Sequence, residues 1–135
     1  MKFLKLLKKL KEFSNHPTHK MSCVIARKNQ VISIGYNKYR THPKSKHPYR
    51  MIHCELDALL GNKFVDLKGT TAYIYRETQD GIPALSKPCI FCLEALKIAG
   101  IKKVCYSNQG KFIMEKIWLV KILQLLLQTQ QKVLL

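Results

Sequence analysis

Apolar side chains recur at helical spacing in the first residues of the chain, with lysines on the opposite side. The apolar positions are Phe3, Leu6, Leu7, Leu10 and Phe13. This pattern predicts that the basic segment 1–14 forms an amphipathic helix over residues 2–13, with its apolar stripe packed on the domain. The alternative for such a helix is to lie on a membrane or on nucleic acid.

The next apolar runs have the composition of β-strands. Met21–Arg27 and residues 31–36 are rich in β-branched side chains and flank residues 28–30, which predicts a hairpin. Residues 37–50 then contain prolines, basic residues and little apolar content. We therefore expect a loop there, whose backbone can approach a ligand.

Helical and strand patterns alternate in the second half of the chain. Residues 53–61 predict a short helix that ends at a glycine, and residues 70–76 predict a strand. Residues 88–100 predict a helix with proline in its first turn and glycine at its end, followed by a strand over 102–106. The alternation indicates the α/β class, with a sheet between two layers of helices.

The last apolar run covers residues 112–127 almost without interruption. The run is short for a membrane span and contains Glu115, Lys116 and Lys121, so we expect no membrane contact. A membrane anchor is the alternative interpretation of this run. We expect an apolar C-terminal helix within residues 112–135. One of its faces would pack on the core and the other on a second chain, which favours a homo-oligomer.

Composition and charge narrow the class of protein. A chain of 135 residues suits a single domain over 1–135, and 47% hydrophobic with 24% charged residues excludes collagen-like and wholly disordered chains. The formal net charge is +16, and most of the excess lies in residues 1–50. So strong a basic excess favours an anionic partner, either a nucleotide or a nucleic acid.

The cysteines indicate a reducing compartment rather than a disulfide framework. Their number is odd and their spacing uneven: Cys23, Cys54, Cys89, Cys92 and Cys105. Lysines interrupt the N-terminal apolar segment, unlike a secretory leader. We therefore expect a cytoplasmic protein in which closely spaced Cys and His bind a metal.

The residues that carry chemistry lie in two short motifs. One is His53-x-Glu55, and the other is Pro88-Cys89-x-x-Cys92 at a predicted helix start. Two cysteines three apart share one helix face, where free N–H groups favour thiolates. With His53 they make three zinc ligands, which leaves the fourth position to water, and Glu55 is placed as the proton carrier. This combined pattern is the signature of zinc nucleobase deaminases.

Other metal arrangements are open at this level. Cys54 or Cys105 would complete a closed structural site if either reached the ion. Cys23, His42 and His47 are candidates for a second metal site, although loop histidines beside prolines are usually surface residues. His16 and His19 are interpreted in the same way, as surface residues.

Residues 22–107 resemble the cytidine/deoxycytidylate deaminase superfamily, and in particular its small phage-type deoxycytidylate members. The matching segments are Gly35-Tyr36-Asn37, His53-Cys54-Glu55-Leu56-Asp57-Ala58-Leu59, Pro88-Cys89-x-x-Cys92 and Ala99-Gly100-Ile101-Lys102-Lys103-Val104. The tRNA adenosine deaminases usually carry Glu directly before Pro-Cys, where this chain has Lys87.

The resemblance implies a three-layer helix–sheet–helix sandwich of the cytidine deaminase type, with a mixed sheet of four to five strands. It implies one zinc ion held by His53, Cys89 and Cys92, Glu55 as proton shuttle, and Asn37 near the substrate sugar. Proteins of this family are commonly oligomers.

The leading hypothesis is hydrolytic deamination of cytosine in a free nucleotide, most simply dCMP to dUMP. Substrate contacts are predicted for Asn37 and Tyr106, the latter by base stacking or, equally, by packing at the sheet edge. Basic side chains of the loop would meet the phosphate: Lys38, Arg40, Lys44, Lys46 and Arg50.

Two alternatives remain. One is deamination of cytosine in single-stranded DNA or RNA, favoured by the basic N-terminal half and by tyrosines that flank the loop: Tyr36, Tyr39 and Tyr49. The other is a non-catalytic zinc or nucleic-acid-binding module. Glu55 argues against that module, because a structural zinc site has no use for a carboxylate beside a water position.

Overall fold

The computed structural model describes residues 1–39, 51–61, 65–117 and 125–129. The named elements follow in chain order: α1 Leu4–Lys11, β1 Met21–Arg27, β2 Gln30–Tyr36, α2 Cys54–Leu60, β3 Thr71–Arg76, α3 Ile90–Ile98, β4 Lys103–Asn108 and β5 Lys111–Lys116. Residues 125–129 are helical with exposed side chains.

The sheet has the strand order β2-β1-β3-β4-β5. β3 and β4 run parallel, joined through α3, and all other neighbours are antiparallel. The three inner strands are buried on both faces, as expected for apolar runs covered on two sides. The prediction of a mixed sheet of four to five strands is confirmed.

Helices cover both faces of this sheet. Successive side chains of a strand point to opposite faces, so Val24 packs with Leu7 and Leu10 of α1. Cys23 and Ile25 point the other way, into a core shared with α2 and α3. The predicted three-layer sandwich is therefore confirmed, and so is the packing of the α1 stripe except at Phe13, which lies beyond the helix and is 67% exposed.

The helix α2 lies unusually close to β2, at Gly35. A Cβ atom built there would lie 2.4 Å from the Cys54 carbonyl oxygen and 2.5 Å from the Ala58 backbone nitrogen. The Ser33 hydroxyl donates to the Ala58 carbonyl at 2.5 Å, and Asp57 accepts the Tyr36 backbone N–H at 3.1 Å. These contacts hold the first turn of α2 in place against the sheet.

The prediction of a helix over residues 112–135 is wrong in its first part, because Lys111–Lys116 form the edge strand β5. Gln109 and Gly110 connect β4 to β5 with positive φ angles of 47° and 79°. Two such residues are what a tight hairpin turn requires. The prediction followed apolar content alone and overlooked this turn.

The remaining apolar tail, residues 118–124 and 130–135, lies outside the described residues. Within the part of the chain that is described, no helix has the length and apolar character needed to cross a membrane.

Candidate metal centre and its cavity

Three metal-binding side chains lie at the beginnings of two helices that pack on the same sheet face. His53 is the N-cap residue of α2 and Cys89 the N-cap residue of α3, each with an extended backbone. Cys92 is the third residue of α3 and is fully buried. The contact between α2 and α3 therefore brings two motifs that are distant in sequence to one point.

The spacing of the three ligand atoms fits one tetrahedral ion. His53 Nδ1 lies 3.4 Å from Cys92 Sγ and 3.7 Å from Cys89 Sγ. Zinc–nitrogen and zinc–sulfur bonds of about 2.1 and 2.3 Å place such atoms roughly 3.6 Å apart around a tetrahedral ion. All three ligand atoms lie within 4.8 Å of one another, so these residues can hold one zinc ion.

The protonation state of the three metal-binding side chains is coupled to whether a metal ion is bound. The hydrogen bond with Cys89 raises the pKa of His53; burial opposes this, and the charge of Glu55 adds to it. The hydrogen bond with Cys89, together with burial, raises the pKa of the Cys92 thiol. Metal ligands must be deprotonated, so binding an ion here releases protons and becomes weaker as the pH falls.

The fourth ligand of a closed structural site is not supplied by the other two candidates. Cys105 packs on the α1 face of the sheet, on the opposite side from α2 and α3. Cys54 lies in the buried core together with Cys23. Among the described residues, the one cluster suited to a metal ion comprises the three predicted ligands.

Glu55 is almost completely buried, with 2% of its surface exposed. Burial raises the pKa of its carboxyl, while a hydrogen bond from its own backbone and the charge of His53 oppose the shift. A carboxyl whose pKa lies above its ordinary value is better matched to carrying a proton near neutral pH.

A cavity of about 160 Å³ opens beside this carboxylate. Four of its lining residues belong to the motifs: Asn37, His53, Glu55 and Cys89. Five others were not predicted as site residues: His16, His19, Met21, Met51 and Lys87. The two histidines were interpreted as surface residues, because the sequence pattern does not show that the α1–β1 connection folds over the zinc helices.

His16 is held in one orientation at this cavity. Its Nδ1 accepts the backbone N–H groups of Thr18 and His19, at 3.1 and 2.8 Å. Its ring stacks on Tyr39 at 5.2 Å between centroids. A nitrogen that accepts two hydrogen bonds carries no proton, so the neutral ring has its proton on Nε2.

Asn37 connects the cavity wall to β1. Its Oδ1 accepts the Met21 backbone N–H at 2.9 Å, and its Nδ2 donates to the His19 carbonyl at 2.6 Å. The side chain is 3% exposed. Asn37 therefore lines the cavity, and it also fixes the segment that carries His19; its contact with a substrate sugar stays a prediction.

Lys38 and Tyr106 lie elsewhere than the sequence analysis expected. Lys38 Nζ forms an ion pair with Asp57 Oδ1 at 2.9 Å and lies over the Tyr36 ring, and it is not among the residues that line the cavity. Tyr106 is 4% exposed and packs in the core. Burial and the Glu115 carboxylate raise its pKa to about 12. Tyr106 is therefore a core residue of the inner strand β4, a position that fits neither base stacking nor packing at the sheet edge.

Several predicted residues lie outside the described residues. They are Arg40, His42, Lys44, His47, Tyr49 and Arg50, together with Lys46. The second metal site therefore stays a prediction, of which the structure describes Cys23 alone, buried in the core.

Comparison with known proteins agrees with this geometry. A family model described as the cytidine and deoxycytidylate deaminase zinc-binding region matches residues 1–108. The chain is also similar to the deoxycytidylate deaminase of Pongo abelii, with 29% identity over 102 residues that cover 64% of this chain and 51% of the relative. The match thus spans about half the length of that curated relative.

Two solved structures share the fold. Cytidine deaminase from Burkholderia pseudomallei superposes with a TM-score of 0.62 at 15% identity, covering 85% of this chain and 90% of that one. The dCMP deaminase of cyanophage S-TIM5, in complex with dCMP and dUMP, gives a TM-score of 0.56 at 18% identity, covering 76% and 75%. At such identities the likeness establishes the fold.

Proposed function

The chain belongs to the cytidine and deoxycytidylate deaminase family, and we propose that it deaminates cytosine in a free nucleotide, converting dCMP to dUMP. The observation that carries this proposal is the cavity in which Glu55 lies beside His53 and Cys89. The Glu55 carboxylate and two of the three metal-binding side chains line the same cavity there, and the third, Cys92, is buried next to them.

Each group has a defined task in the proposed reaction, in which water replaces the cytosine amino group and ammonia leaves. His53, Cys89 and Cys92 would hold the zinc ion, and a bound ion would supply an acidified water as the nucleophile. Glu55 takes up a proton from water, delivers it to the ring N3, and later carries a proton to the departing amine. Burial raises the pKa of the Glu55 carboxyl, which favours proton uptake.

The cavity has the size for a base rather than for an entire large ligand. Its volume of about 160 Å³ is below the roughly 300–1,000 Å³ typical of pockets for drug-sized molecules. Asn37 Nδ2 donates to the His19 carbonyl and to Met51 Sδ at 3.9 Å, whereas Oδ1 accepts one bond, from the Met21 N–H. The second lone pair of Oδ1 is therefore the group available to a sugar hydroxyl.

The choice of dCMP has two supports. The similar proteins from Pongo abelii and the cyanophage are dCMP deaminases. The net charge of +16 also attracts an anionic nucleotide more strongly than a neutral nucleoside.

Cytosine in single-stranded DNA or RNA is the less favoured substrate. The basic N-terminal half of the chain favours it, and part of that charge is carried by three exposed lysines of α1, Lys5, Lys8 and Lys9. α1 packs on the sheet face opposite to the zinc helices. The positive charge of α1 can therefore attract anionic ligands over a distance, but it is poorly placed to contact the backbone of a nucleic-acid strand whose base enters the cavity.

A substrate panel tests the proposal. Purified zinc-loaded protein is incubated with cytidine, deoxycytidine, CMP, dCMP and single-stranded oligonucleotides, and uracil products are measured by mass spectrometry. Cys92→Ser, purified in parallel, controls for contaminating deaminases. We expect dCMP to give the highest kcat/KM, whereas turnover confined to oligonucleotides, or none at all with zinc bound, would contradict the proposal. A cytoplasmic location and a homo-oligomeric state stay predictions.

A further inference from the structure

Lys87 occupies a rigid position at the edge of the proposed active site. It directly precedes Pro88, which is fully buried, and Cys89, the N-cap residue of α3. Proline restricts the backbone on that side of Lys87. The ammonium-bearing side chain thus starts two residues from a cysteine of the metal centre.

Ser86 fixes the other side of Lys87. The Ser86 backbone N–H donates to the Ser107 carbonyl at 2.9 Å, and its hydroxyl donates to the Ile74 carbonyl at 2.9 Å. The same hydroxyl accepts the Ser107 backbone N–H at 2.8 Å. Because Ser86 is buried and bonded to two inner strands, the backbone that precedes Lys87 is anchored to the sheet beside the cavity.

The charge of Lys87 is available to a ligand. It is the one lysine or arginine among the described residues that line the cavity. The ion pairs found in the described ranges involve Lys11, Lys20 and Lys38, and not Lys87. Its ammonium lies 5.9 Å from the centroid of the Tyr106 ring, a distance near the outer limit of a cation–π contact. That contact orients the side chain without neutralising it.

We propose that Lys87 binds the phosphate of the substrate and so makes the enzyme prefer a nucleotide to a nucleoside. This inference rests on the proposed function. A lysine ammonium is a point charge with three donors on a flexible stem, which suits a phosphate whose position follows the base. Lys38, the described candidate from the sequence, already forms an ion pair with Asp57.

The test compares nucleotide and nucleoside in four proteins: wild type, Lys87→Met, Lys87→Arg and Lys97→Met. Lys97→Met removes the same charge from an exposed position near the far end of α3. Steady-state kinetics are measured with dCMP and deoxycytidine, and equilibrium binding with dUMP, deoxyuridine and a single-stranded oligonucleotide. Zinc content and thermal unfolding show that each variant is folded.

In Lys87→Met we expect KM for dCMP and Kd for dUMP to rise about tenfold to a hundredfold, the worth of a hydrogen bond to a charged group. The nucleoside values should not change, Lys87→Arg should retain most of the preference, and Lys97→Met should behave as wild type. Equal losses on nucleotide and nucleoside, or a loss confined to the oligonucleotide, would overturn the assignment.

The binding measurement separates this inference from the proposed function. If wild type turns over neither dCMP nor deoxycytidine, the proposed function fails. A preference for dUMP over deoxyuridine that disappears in Lys87→Met would still support the role of Lys87. If wild-type protein binds dUMP no more tightly than deoxyuridine, the role of Lys87 is wrong whatever the turnover.

Discussion

Replacing Gly35 by alanine should damage both stability and activity, although Gly35 belongs to neither motif of the metal centre. The new Cβ would lie 2.4 Å from the Cys54 carbonyl oxygen and 2.5 Å from the Ala58 nitrogen. Both are backbone atoms of α2, so no side-chain rotation relieves the contact. The helix must move away from β2 by about 1 Å to restore ordinary van der Waals distances of roughly 3.5 Å.

The magnitude follows from what α2 carries. Overpacking of this kind costs about 1–3 kcal/mol of unfolding free energy. His53 and Glu55 lie at the start of the same helix, and a displacement near 1 Å at a catalytic group can lower the rate by about a hundredfold. We therefore expect Gly35→Ala to remain folded but marginal, with impaired zinc retention and deamination.

Gly61→Ala provides the matched control. Gly61 ends α2 with a φ of −74°, and the nearest atom to a new Cβ there is the Asp57 carbonyl oxygen at 3.4 Å. This substitution should leave stability and activity close to wild type. Urea unfolding, zinc content and dCMP turnover are measured for both variants. If Gly35→Ala matches Gly61→Ala in all three, the close approach of α2 to β2 does not position the site.

Three further outcomes are expected. Glu55→Gln should retain zinc but lose deamination by about 10²–10⁴-fold, the usual contribution of a general acid–base group; turnover near wild type would remove Glu55 from the mechanism. A zinc chelator should abolish activity and added zinc should restore it, whereas activity that survives complete metal removal would contradict a metal-dependent reaction. Glu77 makes a 2.8 Å ion pair with Lys11; burial tends to raise the pKa of its carboxyl, but hydrogen bonds from Lys11 and Tyr75 prevail and lower it below 4.5. The stability that Glu77 contributes is therefore present above pH 4.5 and is lost as the pH falls through the lowered pKa. The free energies of unfolding in urea of wild type and Glu77→Gln should accordingly converge in acid. A difference between them that does not depend on pH would refute the lowered pKa.

The sequence alone indicated the metal ligands, because each of the two motifs that supply them is local. Cys89 and Cys92 lie three residues apart at a helix start, and helix geometry places them on one face whatever the rest of the fold does. His53 and Glu55 likewise share the first turn of α2. Alternating strand and helix patterns were enough to predict the layered α/β fold, because each pattern reflects which faces must be buried.

The prediction of a C-terminal helix rested on apolar content alone, and it was wrong for the residues that form β5. Phe112, Ile113 and Met114 of β5 continue into the apolar tail in the sequence, and the two residues of the preceding turn, Gln109 and Gly110, decided the outcome. Composition does not distinguish a short apolar strand from a helical segment.

Only the tertiary structure shows which residues outside the two motifs line the cavity. His16 and Lys87 reach the cavity from different connections, and Lys38 is withdrawn from it by Asp57. Each of these outcomes depends on how segments distant in sequence pack across the sheet, and no periodicity or spacing within one segment records that. Local geometry could therefore identify the chemistry of the site, while the identity of its substrate-facing residues required the packed fold.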